Sequence, residues 1–286
     1  MRVFLFSFFL STIILFSSSC HAAPPTVLVS IAPHKFFVEK IAGNTVSVQL
    51  MIPVGADAHT YEPTPRQVIQ ASHADIWFFI GEAFETRAKK ALLTHKPMML
   101  LVDMRQGVSM ISANSHCNHH HGCCHASGED LHFWLSPKEA EQQAKTIASA
   151  LIEKYPENTE LYKLNLLDFL EKLDALDRQV RQILKQSPHR VIMVAHPAYA
   201  YFARDYDLVQ LPIEYEGKDP SPQQLTRVIE RARKERIKTI FSQVQYPVKV
   251  AQLIAKEIGA SVKILDPYAE NYIENLETIA HSFAEN

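Results

Sequence analysis

The chain has 286 residues, 47% of them hydrophobic and 21% charged, which is an ordinary globular composition and long enough for two lobes with separate cores. The formal net charge of −2 at pH 7 gives no reason to expect a nucleic acid or another polyanion as partner. Eight glycines and sixteen prolines exclude a fibrous or low-complexity chain.

The first 23 residues differ from the rest of the chain. Arg2 is followed by an apolar run over 3–16 and then by small residues. The run is too short to span a bilayer and is typical of an export signal. We therefore predict a signal peptide over 1–23, with a buried N-terminal helix as the alternative, and an exported, periplasmic protein. Cys20 is a candidate for lipid anchoring, although Ser17 is a poor match three positions before it.

Short apolar runs rich in β-branched residues recur along both halves of the chain. They lie at 26–32, 46–52, 75–81 and 99–103, and again at 190–196, 208–213, 239–244 and 262–265. Nearly continuous apolar runs separated by helical patterns are typical of parallel strands buried on both faces. Four runs in each half predict two similar α/β lobes.

Three helix starts share one local pattern. Thr64, Ser136 and Ser221 are each followed by proline, and a Gln or Glu stands three residues after each of them. This spacing predicts an N-cap residue, proline at the first helical position and a capping box.

One long helix is predicted between the two halves, over 156–187. Its apolar residues recur with helical periodicity, and no internal Gly or Pro offers a hinge. About 30 residues at 1.5 Å each make a rod of roughly 45 Å, which favours a rigid connector over a coiled-coil dimer helix. The predicted lobes are 24–155 and 188–286, and we expect a monomer.

The segment "HCNHHHGCCH", residues 116–125, has the composition of a metal-binding tract. Its surroundings are polar and without periodicity, so we predict an exposed loop over 114–129. Such a loop loses conformational entropy on wrapping an ion, and we expect weaker binding there than at a site formed by folded lobes. We predict an auxiliary zinc loop, with a loop without a role as the alternative. Its candidate ligands are His116, His119, His120, His121 and His125.

The cysteines of this tract are Cys117, Cys123 and Cys124, and the only other cysteine is Cys20. None of them can link distant parts of the fold. In an oxidising compartment they can pair with one another, so their redox state and role stay open.

Four other candidate ligands are scattered along the chain at predicted strand exits or helix entries. They are His59, His132, His196 and Asp266. Loops converge at the carboxyl ends of parallel strands, where ligands bind. Three imidazoles and one carboxylate complete a tetrahedral set for a transition metal, which places the ion between the lobes. His34 is also at a strand exit, and position alone does not exclude it.

These residues lie in segments that resemble a known family. The segments are "GADAHTYEPTP", "DLHFWLSP", "AHPAYAYFARDY", "PIEYEGKDPSP" and "LDPYAENYIENL". In this order they resemble the zinc- and manganese-binding receptors of bacterial ABC transporters, the cluster A-I (ZnuA/TroA-like) group. The resemblance covers nearly the whole mature chain. It implies two (β/α)4 lobes joined by one long rigid helix, with the metal in the interlobe cleft.

The resemblance also implies delivery of the metal to a membrane permease with a cytoplasmic ATPase. The family's three histidine positions match His59, His132 and His196, and its acidic position matches Asp266. Manganese-type members carry Glu where this chain has His196. Some zinc receptors of the family have a C-lobe disulfide, for which this chain lacks the cysteines. Many also have a His-rich loop at the place of 116–125, and the cysteines of this tract depart from the usual His, Asp and Glu content of that loop.

We predict a zinc receptor rather than an enzyme. Three nitrogens and one oxygen favour Zn²⁺, although Mn²⁺ and Fe²⁺ remain alternatives. A zinc-dependent hydrolase is the competing class, but catalytic zinc keeps one position open for water, and the chain contains no HExxH motif. Glu214 and Glu216 are alternatives to Asp266 as the fourth ligand.

Overall fold

The computed structural model describes residues 23–112, 128–185, 187–214 and 218–286. Several predicted features lie outside these residues and keep the status of predictions. They are the signal peptide apart from its last residue, Cys20, the five histidines and three cysteines of the loop, and Glu216.

The N-terminal lobe is a four-stranded parallel sheet with the strand order β2-β1-β3-β4. Its strands are β1 (Thr26–Val29), β2 (Ser47–Leu50), β3 (Ile76–Phe79) and β4 (Leu100–Asp103). Its helices are α1 (Ala32–Ala42), α2 (Pro65–Ala71), α3 (Ala83–His95) and α4 (Pro137–Lys154). The central strand β3 is buried along its whole length, as expected for a parallel strand covered on both faces.

The connecting helix α5 spans Thr159–Lys185 and follows a 3-10 turn at Pro156–Asn158. The observed helix therefore begins one short turn later than predicted. In the 3-10 turn before it, the Thr159 hydroxyl donates a hydrogen bond to Pro156 O (2.7 Å). At 1.5 Å per residue α5 is about 40 Å long. One face of it is buried, at Tyr162, Phe169, Leu173, Leu176, Val180 and Leu184.

The C-terminal lobe repeats the architecture of the first, with the parallel strand order β6-β5-β7-β8. Its strands are β5 (Val191–Val194), β6 (Val209–Pro212), β7 (Thr239–Gln243) and β8 (Ser261–Leu265). Its helices are α6 (Ala200–Asp205), α7 (Pro222–Lys234), α8 (Lys249–Ile258) and α9 (Tyr272–Ala284). Two four-stranded α/β lobes and one long helix confirm the predicted fold class. Across the described ranges, no helix combines the length and the apolar character needed to cross a bilayer.

The three predicted N-caps are present. Thr64 and Ser221 form complete capping boxes with Gln67 and Gln224. The Ser136 side chain accepts a hydrogen bond from the backbone N–H of Glu139 (3.1 Å). The second hydrogen bond of a capping box, from the Ser136 backbone to the Glu139 carboxylate, is not formed. The Glu139 carboxylate instead accepts from the Ser109 backbone (3.1 Å) and pairs with Arg204 (2.8 Å). The sequence spacing therefore predicts the cap residue correctly, but it does not reveal that Arg204 of the other lobe pairs with the Glu139 carboxylate.

A continuous core joins the lobes. The ring of Tyr272 on α9 lies 4.7 Å from the ring of Phe37 on α1, in an edge-to-face arrangement. The indole of Trp134 donates to Pro267 O (2.8 Å), and the Tyr272 hydroxyl donates to Trp134 O (2.6 Å). Both hydrogen bonds connect the two lobes and are buried. A movement of the lobes that broke them without admitting water would leave the polar groups without hydrogen-bond partners, at a cost in free energy.

We expect little lobe motion on metal release, because both this core and the unbroken helix α5 resist bending. Small-angle X-ray scattering of the metal-loaded and metal-free protein should give the same radius of gyration, about 19 Å for a compact chain of this length. A clear metal-dependent change in the scattering profile would contradict a rigid connection.

Candidate metal centre

Three histidines from separate loops meet between the lobes. His59 lies in the loop after β2, His132 lies between β4 and α4, and His196 follows β5. Their ring centroids are 5.1–5.2 Å apart. Their candidate ligand atoms all lie within 4.8 Å of one another, and no other such His, Cys, Asp or Glu group occurs among the described residues. The structure thus brings together three of the four predicted ligands.

The spacing of the nitrogens suits a tetrahedral ion. Nε2 of His59 lies 3.3 Å from Nε2 of His196. Zinc–nitrogen bonds of about 2.0–2.1 Å at tetrahedral angles place two ligand nitrogens about 3.4 Å apart. The two rings from opposite lobes are therefore already at the separation that one zinc ion requires.

Each histidine is backed by a carboxylate on its other ring nitrogen. The distances to Nδ1 are 3.0 Å for Glu82 and His59, 2.9 Å for Asp130 and His132, and 2.7 Å for Glu214 and His196. A carboxylate at Nδ1 selects the tautomer that carries the proton there, orients the ring and makes Nε2 a stronger ligand. Nε2 is accordingly the nitrogen that each of the three rings has available for a metal ion.

Glu82 is held in place by a buried carboxylate in the turn after β3. The Glu85 side chain accepts hydrogen bonds from the backbone N–H groups of Gly81 (2.6 Å) and Glu82 (2.8 Å). Burial raises the pKa of Glu85 to about 7, while hydrogen bonds from Ser30 and the Ile80 backbone oppose that shift. The turn that presents Glu82 to His59 is therefore fixed by local hydrogen bonds.

Asp130 is held by contacts from both lobes. Its backbone N–H donates to Ile111 O (2.9 Å), and its carbonyl accepts from the Tyr201 hydroxyl (2.7 Å), which in turn accepts from Ile111 N (3.0 Å). The Asp130 carboxylate also accepts from the His132 backbone (2.9 Å). Tyr201 belongs to α6, so the second lobe helps to position the partner of His132.

The pKa values of two of the histidines are shifted in opposite directions. Burial, followed by the neighbouring His59 and His196, lowers the pKa of His132 well below its usual value. For His59 burial is the largest influence and lowers the pKa, but Glu82, Asp57 and Asp130 together outweigh it and the net pKa is raised. His132 is therefore neutral at pH 7, and a cation at the cluster competes with a proton on His59. Binding should release a proton and weaken as the pH falls.

Access to the cluster is from the His59 side. The His59 side chain is 14% exposed, while His132 is fully buried and His196 is 2% exposed. An ion entering from solvent meets His59 first.

Asp266, the fourth predicted ligand, follows β8 and is not a member of the three-histidine group. Its Oδ1 accepts hydrogen bonds from Gln245 Nε2 (2.8 Å) and from the Tyr268 backbone (3.0 Å). Its role as a ligand remains a prediction. Glu214, named as an alternative ligand, instead contacts Nδ1 of His196 (2.7 Å), which is the ring nitrogen that does not face His59.

His34 belongs to a different environment, although it too follows a strand. It is fully buried, and its Nε2 lies 2.7 Å from Gln143 Oε1, between α1 and α4. Burial lowers the pKa of His34 to about 4, so it is a neutral core residue.

Two of the carboxylates that contact the histidines were not predicted from the sequence. Glu82 directly follows the apolar run 75–81, and Asp130 stands two residues before His132. The rule that loops at strand exits carry the site could have pointed to Glu82. Asp130 could have been found by asking which acid lies near a candidate histidine.

The fold and the cluster define a two-lobed, metal-binding α/β protein. The profile of the family described as "Zinc-uptake complex component A periplasmic" matches residues 27–286, and the chain belongs to that family.

Individual relatives agree with this assignment. A putative metal-binding protein of Chlamydia muridarum is 35% identical over 261 residues, which are 91% of this chain and 90% of that protein. The high-affinity zinc uptake system protein ZnuA of Bacillus subtilis is 30% identical over 84% of this chain and 77% of its own length. A crystal structure of a ZnuA deletion mutant with zinc bound is 39% identical, covers 91% of this chain and 97% of its own, and has a TM-score of 0.83.

Proposed function

We propose that this protein captures Zn²⁺ outside the cytoplasmic membrane and delivers it to an ABC permease with a cytoplasmic ATPase. The observation that carries the proposal is the cluster of His59, His132 and His196, each backed by a carboxylate and with two Nε2 atoms at zinc spacing. Zinc-uptake relatives with the same architecture support it.

Metal analysis of protein purified without added metal tests this function. We expect one equivalent of zinc, and one tight site when metal-free protein is titrated by calorimetry. Three imidazole nitrogens favour zinc over manganese, which prefers oxygen ligands. Tighter binding of Mn²⁺ or Fe²⁺ than of Zn²⁺ in competition would support the alternative receptors of the same fold.

The protein acts in this proposal as a carrier and not as an enzyme. A fourth protein ligand beside the three histidines would close the position that a catalytic zinc keeps open for water. Robust hydrolysis of esters, peptides or phosphates by the zinc-loaded protein, lost in His132→Ala, would establish the hydrolase alternative instead.

We propose Asp266 as the fourth ligand. Its carboxylate would exchange its contact with Gln245 for the ion. Asp266→Ala should then weaken zinc binding by more than 10-fold, as measured by competition with a chelator. Zn–O bonds run near 2.0–2.2 Å, so a zinc-bound structure with the Asp266 carboxylate beyond about 3 Å would exclude it.

The proposed location is the periplasm, with the signal peptide over 1–23 removed and Cys20 as the candidate anchor. The intact mass of the mature protein tests both. A chain beginning near Pro24 would exclude the anchor, and a chain beginning at Cys20 with added acyl mass would establish it.

The loop 114–129 is proposed as an auxiliary zinc collector that binds through its histidines. Deletion of residues 116–125 should leave the tight site unchanged and remove only weaker, additional binding in a calorimetric titration. Loss of the tight site in a deletion variant with an unchanged melting temperature would make the loop the main site.

A further inference from the structure

One tyrosine connects the metal-binding faces of the two lobes. Tyr246 stands in the loop after β7, and its ring stacks on His196 with 4.7 Å between centroids and 15° between planes. A ring stacked in this way restricts rotation of the imidazole. Tyr246 therefore belongs, through its ring, to the C-terminal side of the cluster.

The hydroxyl of the same residue reaches the N-terminal lobe. It donates a hydrogen bond of 3.1 Å to Oδ1 of Asp57, in the loop after β2. A phenol hydroxyl can act as a hydrogen-bond donor, and here its acceptor is a carboxylate oxygen. Hydrogen bonds to charged groups are stronger than those between neutral groups.

Asp57 in turn shapes the loop that carries His59. Its Oδ1 accepts from the His59 backbone N–H (3.0 Å), and its Oδ2 accepts from the Thr60 hydroxyl (2.8 Å). This local turn fixes the backbone at His59. The contact from Tyr246 thus reaches a metal ligand of each lobe, one through its ring and one through its hydroxyl.

We propose that Tyr246 is a positioning residue that latches the His59 loop to the His196 side of the cleft and slows the release of bound zinc. His59 is the exposed ligand, and the ion leaves past it. Because Asp57 holds the backbone of the His59 loop and also accepts from Tyr246, we expect withdrawal of that loop from His196 to require this hydrogen bond to break. The inference rests on the proposed function, because it requires zinc at the three histidines.

The test is the zinc release rate of Tyr246→Phe, which keeps the stacked ring and removes only the hydroxyl. Zinc-loaded protein is mixed with excess 4-(2-pyridylazo)resorcinol, at concentrations where the rate no longer depends on the chelator. We expect release about 10-fold faster than in the wild type, since a hydrogen bond to a charged acceptor corresponds to about a factor of ten or more. The association rate should change little.

Tyr206→Phe is the matched control. Its hydroxyl also donates to an aspartate, Asp177, at 3.0 Å, and neither residue touches the histidine cluster or its carboxylates. It should lower the melting temperature without changing zinc release. In an Asp57→Ala background, Tyr246→Phe should add no further acceleration, because the acceptor is already gone.

Two results would overturn the latch. One is a Tyr246→Phe release rate within twofold of the wild type, and the other is an equal acceleration by Tyr206→Phe. If Tyr246→Phe does not fold, Asp57→Ala alone must accelerate release, and an unchanged rate there rejects the latch. A wild-type protein that binds no zinc would instead refute the proposed function, so the two failures are distinguishable.

Discussion

Replacing His59, His132 or His196 with alanine is expected to weaken zinc binding by about 100- to 1000-fold. A four-ligand zinc site contributes about 10–16 kcal/mol in total, so one ligand is worth about 2.5–4 kcal/mol, and each 1.4 kcal/mol is a factor of ten. Competition titration against a chelator of known affinity measures the change.

His95→Ala is the control for these three substitutions, because His95 is exposed at the end of α3, outside the cluster. It should bind zinc as the wild type does. An unchanged affinity in any of the three cluster variants would remove that residue from the site, and equal losses in all four variants would point to unfolding and not to ligation.

The second large effect is expected from the carboxylates behind the rings. Glu82→Gln, Asp130→Asn and Glu214→Gln should each weaken zinc binding by about 10- to 100-fold. The amides keep the size of the side chain but remove the negative charge that makes Nε2 a better ligand. They also allow an amide N–H to face Nδ1, which favours the wrong imidazole tautomer.

Glu230→Gln is the control for charge removal, because Glu230 is exposed on α7. It should leave the affinity unchanged, and the melting temperature of each metal-free variant separates loss of ligand orientation from loss of fold. Wild-type affinity in all three carboxylate variants would show that the histidines bind without this support.

The strands were predictable because parallel strands are buried on both faces. The runs 75–81 and 190–196 are apolar over 76–80 and 191–195, and these stretches contain the observed β3 and β5. The helix α5 was predictable from its periodicity and from the absence of Gly and Pro. Its first turn was not, because a 3-10 turn and an α-helical turn at Pro156 differ only in a local hydrogen bond.

The three histidines were predictable because they lie at strand exits or helix entries and also match the histidine positions of the family. Position alone did not separate them from His34. The supporting groups were not predictable, because they depend on side-chain directions that only the folded loops determine. Asp57 and Asp130 each stand two residues before a predicted ligand and accept from its backbone N–H, yet only Asp130 also contacts the imidazole ring of that ligand. Similarly, the spacing around Ser136 does not reveal that Arg204 takes the Glu139 carboxylate.

A crystal structure of the zinc-loaded protein, with anomalous data collected on both sides of the zinc absorption edge, tests the central claim most directly. We expect one strong anomalous peak between the lobes, about 2.0–2.1 Å from Nε2 of His59, His132 and His196. A strongest peak elsewhere, or coordination through Nδ1 of these rings, would contradict it.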